Sequence, residues 1–120
     1  MQDFTIEFYE KKDGTVPARD FLESLNPKMQ AKMLRTIYLL RENGTDLRSP
    51  YSKLLEDGIF ELRAKVGSDI TRVLYFFFVG RQVILTHGFI KKTQKTPKQE
   101  IEQAKKYRKD YIAGKEGRYE

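Results

Sequence analysis

A chain of 120 residues with 23 Lys and Arg against 17 Asp and Glu has a formal net charge of +6, and it contains no cysteine. That length buries one hydrophobic core without covalent staples, and the lack of thiols excludes a disulfide framework, a cysteine nucleophile and a cysteine-ligated metal cluster. The excess positive charge favours a polyanionic partner, because summed positive potential concentrates phosphates and speeds their encounter.

The first residues, MQDFTIEFYEKKDG, show no basic stretch leading into an apolar one. No segment approaches the roughly 20 apolar residues that a membrane span needs. The expectation is a soluble, unprocessed, cytoplasmic protein with no membrane partner, folded as a single domain over residues 1–120.

In chain order, DFTIEFYE alternates Phe4, Ile6 and Phe8 with polar residues, the period of a half-buried strand. KKDGTVP closes it, and ARDFLESL makes a short helix. Asn26 and Pro27 read as N-cap and first helical residue of a long helix. In that helix Met29, Met33, Ile37 and Leu40 form the apolar stripe, Leu34 and Tyr38 widen it, and Gly44 ends it. Residues 45–57 read as a polar loop.

Three strand candidates follow, IFELRAKV, ITRVLYFFFV and QVILTHGFI, separated by turns short enough for antiparallel hairpins. The middle one is apolar almost throughout, as a central strand buried on both faces would be. Thr96 and Gln99 have capping-box spacing around Pro97, opening a last helix with Ile101, Ala104, Tyr107 and Tyr111 on its apolar side. Residues 114–120 are expected to fray. The order predicts an α+β fold: a small antiparallel or mixed sheet of about four strands, helices packed on one face, the other face open to bind something.

The usual zinc sites are excluded by one histidine and no cysteine, and no phosphate-cradling glycine loop or nucleophile elbow occurs. No cofactor is expected. The organised feature is basic. Strand alternation puts Arg63 and Lys65 on one face; a two-residue Gly67-Ser68 turn, the one expected, would set Arg72 opposite Arg63, while a three-residue turn would flip Arg72 to the other face. Like charges so placed repel, so an anion between them is expected; a structural ion pair with Glu61 is the rival reading for Arg72. His87 closes the last strand, and Lys91, Lys92 and Lys95 follow it toward a helix start where positive charge wants a compensating anion. Rings such as Tyr75 beside these cations suit splayed RNA bases, although core packing explains most of them.

The segment ELRAKVGSDITRVLYFFFVGRQVILTHGFIKKTQKTPKQEIEQAKKY resembles the RelE/ParE superfamily of bacterial toxins. Within it the match is to the HigB-like, phage-derived branch, with its E-L-R segment, R-V-L-Y-F strand and H-G-F-x-K-K-x-x-K-T-P before the last helix. The resemblance implies the toxin of a type II toxin-antitoxin system: a metal-free endoribonuclease that cuts mRNA on the ribosome, neutralised by a cognate antitoxin, commonly a helix-turn-helix DNA-binding protein. It implies catalytic roles for Arg63, Lys65, Arg72 and His87. Lys91, Lys92, Lys95 and Tyr75 would contact mRNA or the ribosome. Two alternatives share the fold or the charge: a ParE-like inhibitor of DNA gyrase, and a non-catalytic RNA-binding module.

Overall fold

The computed structural model describes residues 3–117. Five strands form one sheet in the order β1-β5-β4-β3-β2. In chain order the elements are β1 (Thr5–Phe8), α1 (Pro17–Ser24), α2 (Pro27–Asn43), β2 (Ser52–Glu56), β3 (Ile59–Val66), β4 (Asp69–Phe78), β5 (Gln82–Lys91) and α3 (Lys98–Gly117). β1 pairs with β5 in parallel and the other pairings are antiparallel, so the α+β fold has the mixed sheet expected. Among the described residues no helix is long and apolar enough to cross a membrane.

Local chemistry accounts for the boundaries. The Asn26 side chain accepts from the Met29 amide at 2.9 Å, capping α2. The chain leaves α2 through Gly44 at φ +51°, where a side chain would also meet the Phe4 ring. The β3–β4 turn is the two-residue Gly67-Ser68 loop, so Val66 faces Asp69 and Arg63 faces Arg72, in the register read from the sequence.

The sheet has a core on each face. Leu62, Ala64, Val73, Tyr75, Val83 and Leu85 pack against Ala18 and Leu22 of α1 and Met29, Met33 and Leu40 of α2. On the other face Ile59, Leu74, Phe76, Ile84 and Phe89 meet Ala104, Tyr107 and Tyr111 of α3. Helices therefore cover both faces, not one. Because β4 is apolar on both sides, Phe76 and Phe78 need a cover, and the Tyr111 ring meets both edge-on at 5.7 and 5.2 Å. Of the residues expected to widen the α2 stripe, Leu34 and Tyr38 are instead half exposed.

Three further expectations change. Residues 52–56, read as loop, are the edge strand β2. Asp57 and Gly58 both take positive φ, +50° and +75°, the two-residue hairpin turn that Asp-Gly favours, and Arg108 of α3 holds Asp57 with a 2.8 Å ion pair. Thr96 does not cap α3. Its hydroxyl donates to Glu61, and the helix begins at Lys98 with the Pro97 carbonyl accepting from Glu100 at 3.1 Å. Of the tail expected to fray, residues 114–117 continue α3, while 118–120 lie outside the described residues.

Gly88 is where α1 rests on the sheet. A Cβ there would stand 2.3 Å from the Phe21 ring and 2.9 Å from the Arg72 carbonyl oxygen. Gly88→Ala should therefore destabilise the fold by about 1–3 kcal/mol, the usual cost of overpacking. Urea unfolding checks this: the midpoint falls and the slope is unchanged.

Candidate nucleic-acid interface around a buried glutamate

Cross-strand register arranges the α3-side face of the sheet in rows. Glu61, Leu74 and His87 form one, Arg63, Arg72 and Phe89 the next, and Lys65, Ile70 and Lys91 the last. α3 covers the hydrophobic end, and the chain from Lys92 to Pro97 passes the arginine row on its way into that helix. The result is a basic end of the sheet bordered by the segment that carries Lys92 and Lys95.

Glu61 organises the middle of this face. It is fully buried, and its Oε2 accepts from Arg63 Nε at 2.6 Å. Its Oε1 takes the Thr96 hydroxyl and lies 3.5 Å from Arg72 Nε. The anion expected between the two arginines is thus the chain's own carboxylate, and the rival ion pair left open for Arg72 is present. Arg63 also donates from Nη1 to the Gln94 side-chain oxygen at 3.3 Å and from Nη2 to the Gln94 carbonyl.

Arg72 is the most constrained cation. It is fully buried, its Nη2 donates to the Thr93 carbonyl, and its guanidinium carbon lies 5.9 Å over the Phe89 ring. Burial pushes its pKa below the ordinary arginine value; Glu61 opposes that fall and Arg63 adds to it. Nε and Nη1 are buried yet make no hydrogen bond among the described residues. Two unmatched donors on one buried guanidinium are unusual, and each carries a desolvation cost that an acceptor would relieve.

The other sequence candidates are distributed unevenly. Lys65, Lys91, Lys92 and Lys95 are exposed at the basic end. His87 lies apart from the arginines, beyond Phe89. Its Nε2 is 3.2 Å from Glu100 and its Nδ1 is 3.1 Å from the Thr86 hydroxyl, with the Tyr107 ring edge-on at 5.6 Å. Burial lowers its pKa against the opposing pull of Glu100, so the imidazole is neutral near pH 7. Tyr75 is corrected outright. It lies in the core on the α1 and α2 face, 1% exposed, its hydroxyl 2.5 Å from that of Ser52 and its pKa pushed up to about 12 by burial. Alternation along β4 sends it away from Arg72, so it cannot meet a base beside the arginines.

Two participants were not singled out as site residues from the sequence. Glu61 appeared only as a possible partner of Arg72, and the main chain at Thr93 and Gln94 carries no side-chain signal at all.

The matched family model is described as phage derived protein Gp49-like (DUF891), and it spans residues 20–109. The chain belongs to this Gp49-like family. No curated protein matches it. The Gp49-like region runs from α1 into α3 and contains Glu61, Arg63, Arg72 and Thr96, so the whole buried network lies within the family domain.

The network has a stability signature. Glu61→Gln leaves Arg72 buried without its counter-charge and should cost about 3–5 kcal/mol, whereas Glu61→Leu with Arg72→Met should recover most of that loss. Urea unfolding of the single and double variants makes the comparison.

His87 gives a pH signature. The unfolded chain binds a proton at the ordinary value of 6.5 and the folded chain only below it, so between those two values the unfolded state holds more protons. Stability must fall as pH drops from 6.5 toward the folded value. His87→Gln should flatten that part of the profile. Because His87 is the one histidine, its ring C–H resonance followed by NMR reports the folded pKa directly.

Proposed function

We propose that this Gp49-like protein is the toxin of a type II toxin-antitoxin system and acts as an endoribonuclease on mRNA bound to the ribosome. The observation that carries this reading is the pair of arginines converging beside one carboxylate, with two donors of Arg72 unmatched. A phosphate has the charge and the acceptors to engage Arg63, the partly exposed member of the pair, with the buried charge of Arg72 behind it. The family is generally taken as RelE/HigB-like toxins, which supports the same reading.

In RNA cleavage of this kind the 2′-hydroxyl attacks the adjacent phosphorus. Its proton passes to a base, the phosphorane gains negative charge, and the bond to the 5′-oxygen breaks as that oxygen takes up a proton. Arg63, partly exposed at the edge of the network, meets the phosphate first. In doing so it exchanges its Gln94 contacts for phosphate oxygens while keeping Glu61. Arg72 then supplies charge from behind it, its position held by Glu61 and Phe89.

Lys65, one row beyond Arg63, is the nearer candidate for proton transfer. A lysine needs a lowered pKa to act as a base, and a phosphate-bound lysine instead stays charged and grips the substrate. His87 is neutral at pH 7 and so suited to accept a proton, but with Nε2 donating to Glu100 its lone pair lies on Nδ1, which must first part from the Thr86 hydroxyl. Lys91, Lys92 and Lys95 line the path of mRNA or ribosomal RNA backbone, where each charge adds salt-sensitive affinity. The cognate antitoxin, a helix-turn-helix DNA-binding protein in this reading, would silence the toxin by covering or reshaping this end of the sheet.

Expression should arrest bacterial growth, with new mRNA 5′ ends appearing inside translated codons. Arg63→Ala, which leaves the Glu61–Arg72 pair in place, should lower cleavage about 10²–10³-fold with an unchanged circular dichroism spectrum. Mapping transcript 5′ ends after induction decides it. Arrested replication with intact transcripts would point to the gyrase inhibitor, and graded, salt-dependent RNA binding without cutting would point to the RNA-binding module.

A further inference from the structure

A second feature lies beside the arginines, at the point where the sheet loses its edge strand. β2 covers β3 only as far as Leu62, and the last contact at this edge is the Arg63 amide donating to the Tyr51 carbonyl at 2.9 Å. Beyond it the edge of β3 opens into a cleft of about 460 Å3 whose lining includes Lys32 of α2, Tyr51, Arg63, Lys65 and Gln94. Three cations and no carboxylate line it. Its volume falls in the range of small-molecule sites, and its Arg63 wall is shared with the buried network.

The walls are fixed, and the Tyr51 ring stands open to a ligand. Tyr51 is held at both main-chain polar groups, by Arg63 and by the Arg48 carbonyl at 3.0 Å, yet the residue remains 44% exposed. The Lys32 ammonium reaches across the cleft to the Lys65 carbonyl, which places a positive charge at the strand edge. Alternation along β3 aims the Lys65 amide to the same side as that of Arg63, past the end of β2, where β2 offers it no acceptor. Gln94, whose side-chain oxygen is engaged by Arg63, leaves its amide nitrogen to donate.

The geometry points to a nucleotide subsite for single-stranded RNA, formed by Tyr51, Lys32 and Lys65 beside the scissile phosphate. Tyr51 supplies the stacking surface for one unpaired base. Lys32 and the main-chain edge at Lys65 engage the flanking phosphate, and the Gln94 amide reads the base edge. A flat aromatic ring beside converging cations, with a main-chain donor and no acidic group, is the chemistry by which unpaired nucleotides are held. The inference rests on the reading of the protein as an RNA-cutting enzyme and adds to it the residues that would set which nucleotide lies next to the cut.

The test uses the full chain with purified ribosomes programmed by one defined mRNA, measuring the cleavage rate and the distribution of cut sites. Tyr51→Ala is expected to slow cleavage roughly 10-fold or more, from the loss of one base stack, and to flatten the preference at the nucleotide beside the cut. Tyr51→Phe should restore both, since it keeps the ring. Lys32→Ala should slow cleavage and make it less sensitive to salt, with the cut-site pattern kept. A Tyr51→Ala protein with wild-type rate and wild-type cut sites overturns the subsite while leaving the nuclease reading intact. Absence of any cleavage by the wild-type protein overturns both.

Discussion

The structure turns on one buried carboxylate. Glu61 touches Arg63 on its own strand, Arg72 on the next, and Thr96 at the approach to α3, so a single side chain ties two strands and the connection into the last helix together. Two opposed arginines in a sheet repel, and a guanidinium fully out of water is tolerated only beside a counter-charge. Glu61 meets both needs at once. Its position also explains why Thr96 turns inward instead of capping: by donating its hydroxyl Thr96 satisfies a carboxylate oxygen that water does not reach, whereas the helix amides from which it would otherwise accept can turn to water.

The same interaction shapes how the arginines can act. Their donors are divided between Glu61 and the carbonyls of Thr93 and Gln94, while Arg72 Nε and Nη1 have no hydrogen-bond partner among the described residues. Donors preset at a low-dielectric site stabilise a developing oxyanion more than mobile ones, because little reorganisation accompanies the reaction. In the proposed reaction Arg63 exchanges a carbonyl for a phosphate oxygen, whereas Arg72 keeps its position and adds charge from behind. Asymmetry of this kind favours the more highly charged transition state over the ground state, which is what rate enhancement requires.

Much of the fold was legible in the sequence, for reasons that differ by element. β3, β4 and β5 carry strong period-2 or continuous apolar patterns, and the short Gly67-Ser68 turn determines which residues face each other, so the Arg63–Arg72 pairing followed from turn length alone. β2 was missed because SKLLE is short and lies at the edge, with Lys53 and Leu54 exposed; the signal that could have found it was the Asp57-Gly58 dipeptide. The position of α3 was not readable, since both faces of β4 are apolar and the pattern does not say which helix covers which. Tyr75 was misplaced as an RNA contact for a related reason. On a strand buried on both sides, burial does not distinguish the face that carries chemistry from the face that carries only core, and here the Arg72 face is the one under α3.

The stretch HGFIKKTQKTP shows how closely structural and functional demands can share one segment. Gly88 exists for Phe21, Phe89 for the Arg72 guanidinium, and Thr96 for Glu61, so its conspicuous uncharged residues serve packing and the buried ion pair. His87 is likewise tied to Glu100 and Thr86. The lysines are left over: Lys91, Lys92 and Lys95 are exposed, and among the described residues no ion pair to a carboxylate accounts for them. A segment anchored by its neutral residues and studded with unneutralised lysines keeps its charges at a defined place on the sheet rim without pulling them inward. In the proposed function, where a flexible polyanion is held against Arg63 with Arg72 recessed behind it, that division of labour supplies attraction at the rim and leaves orientation to the buried network.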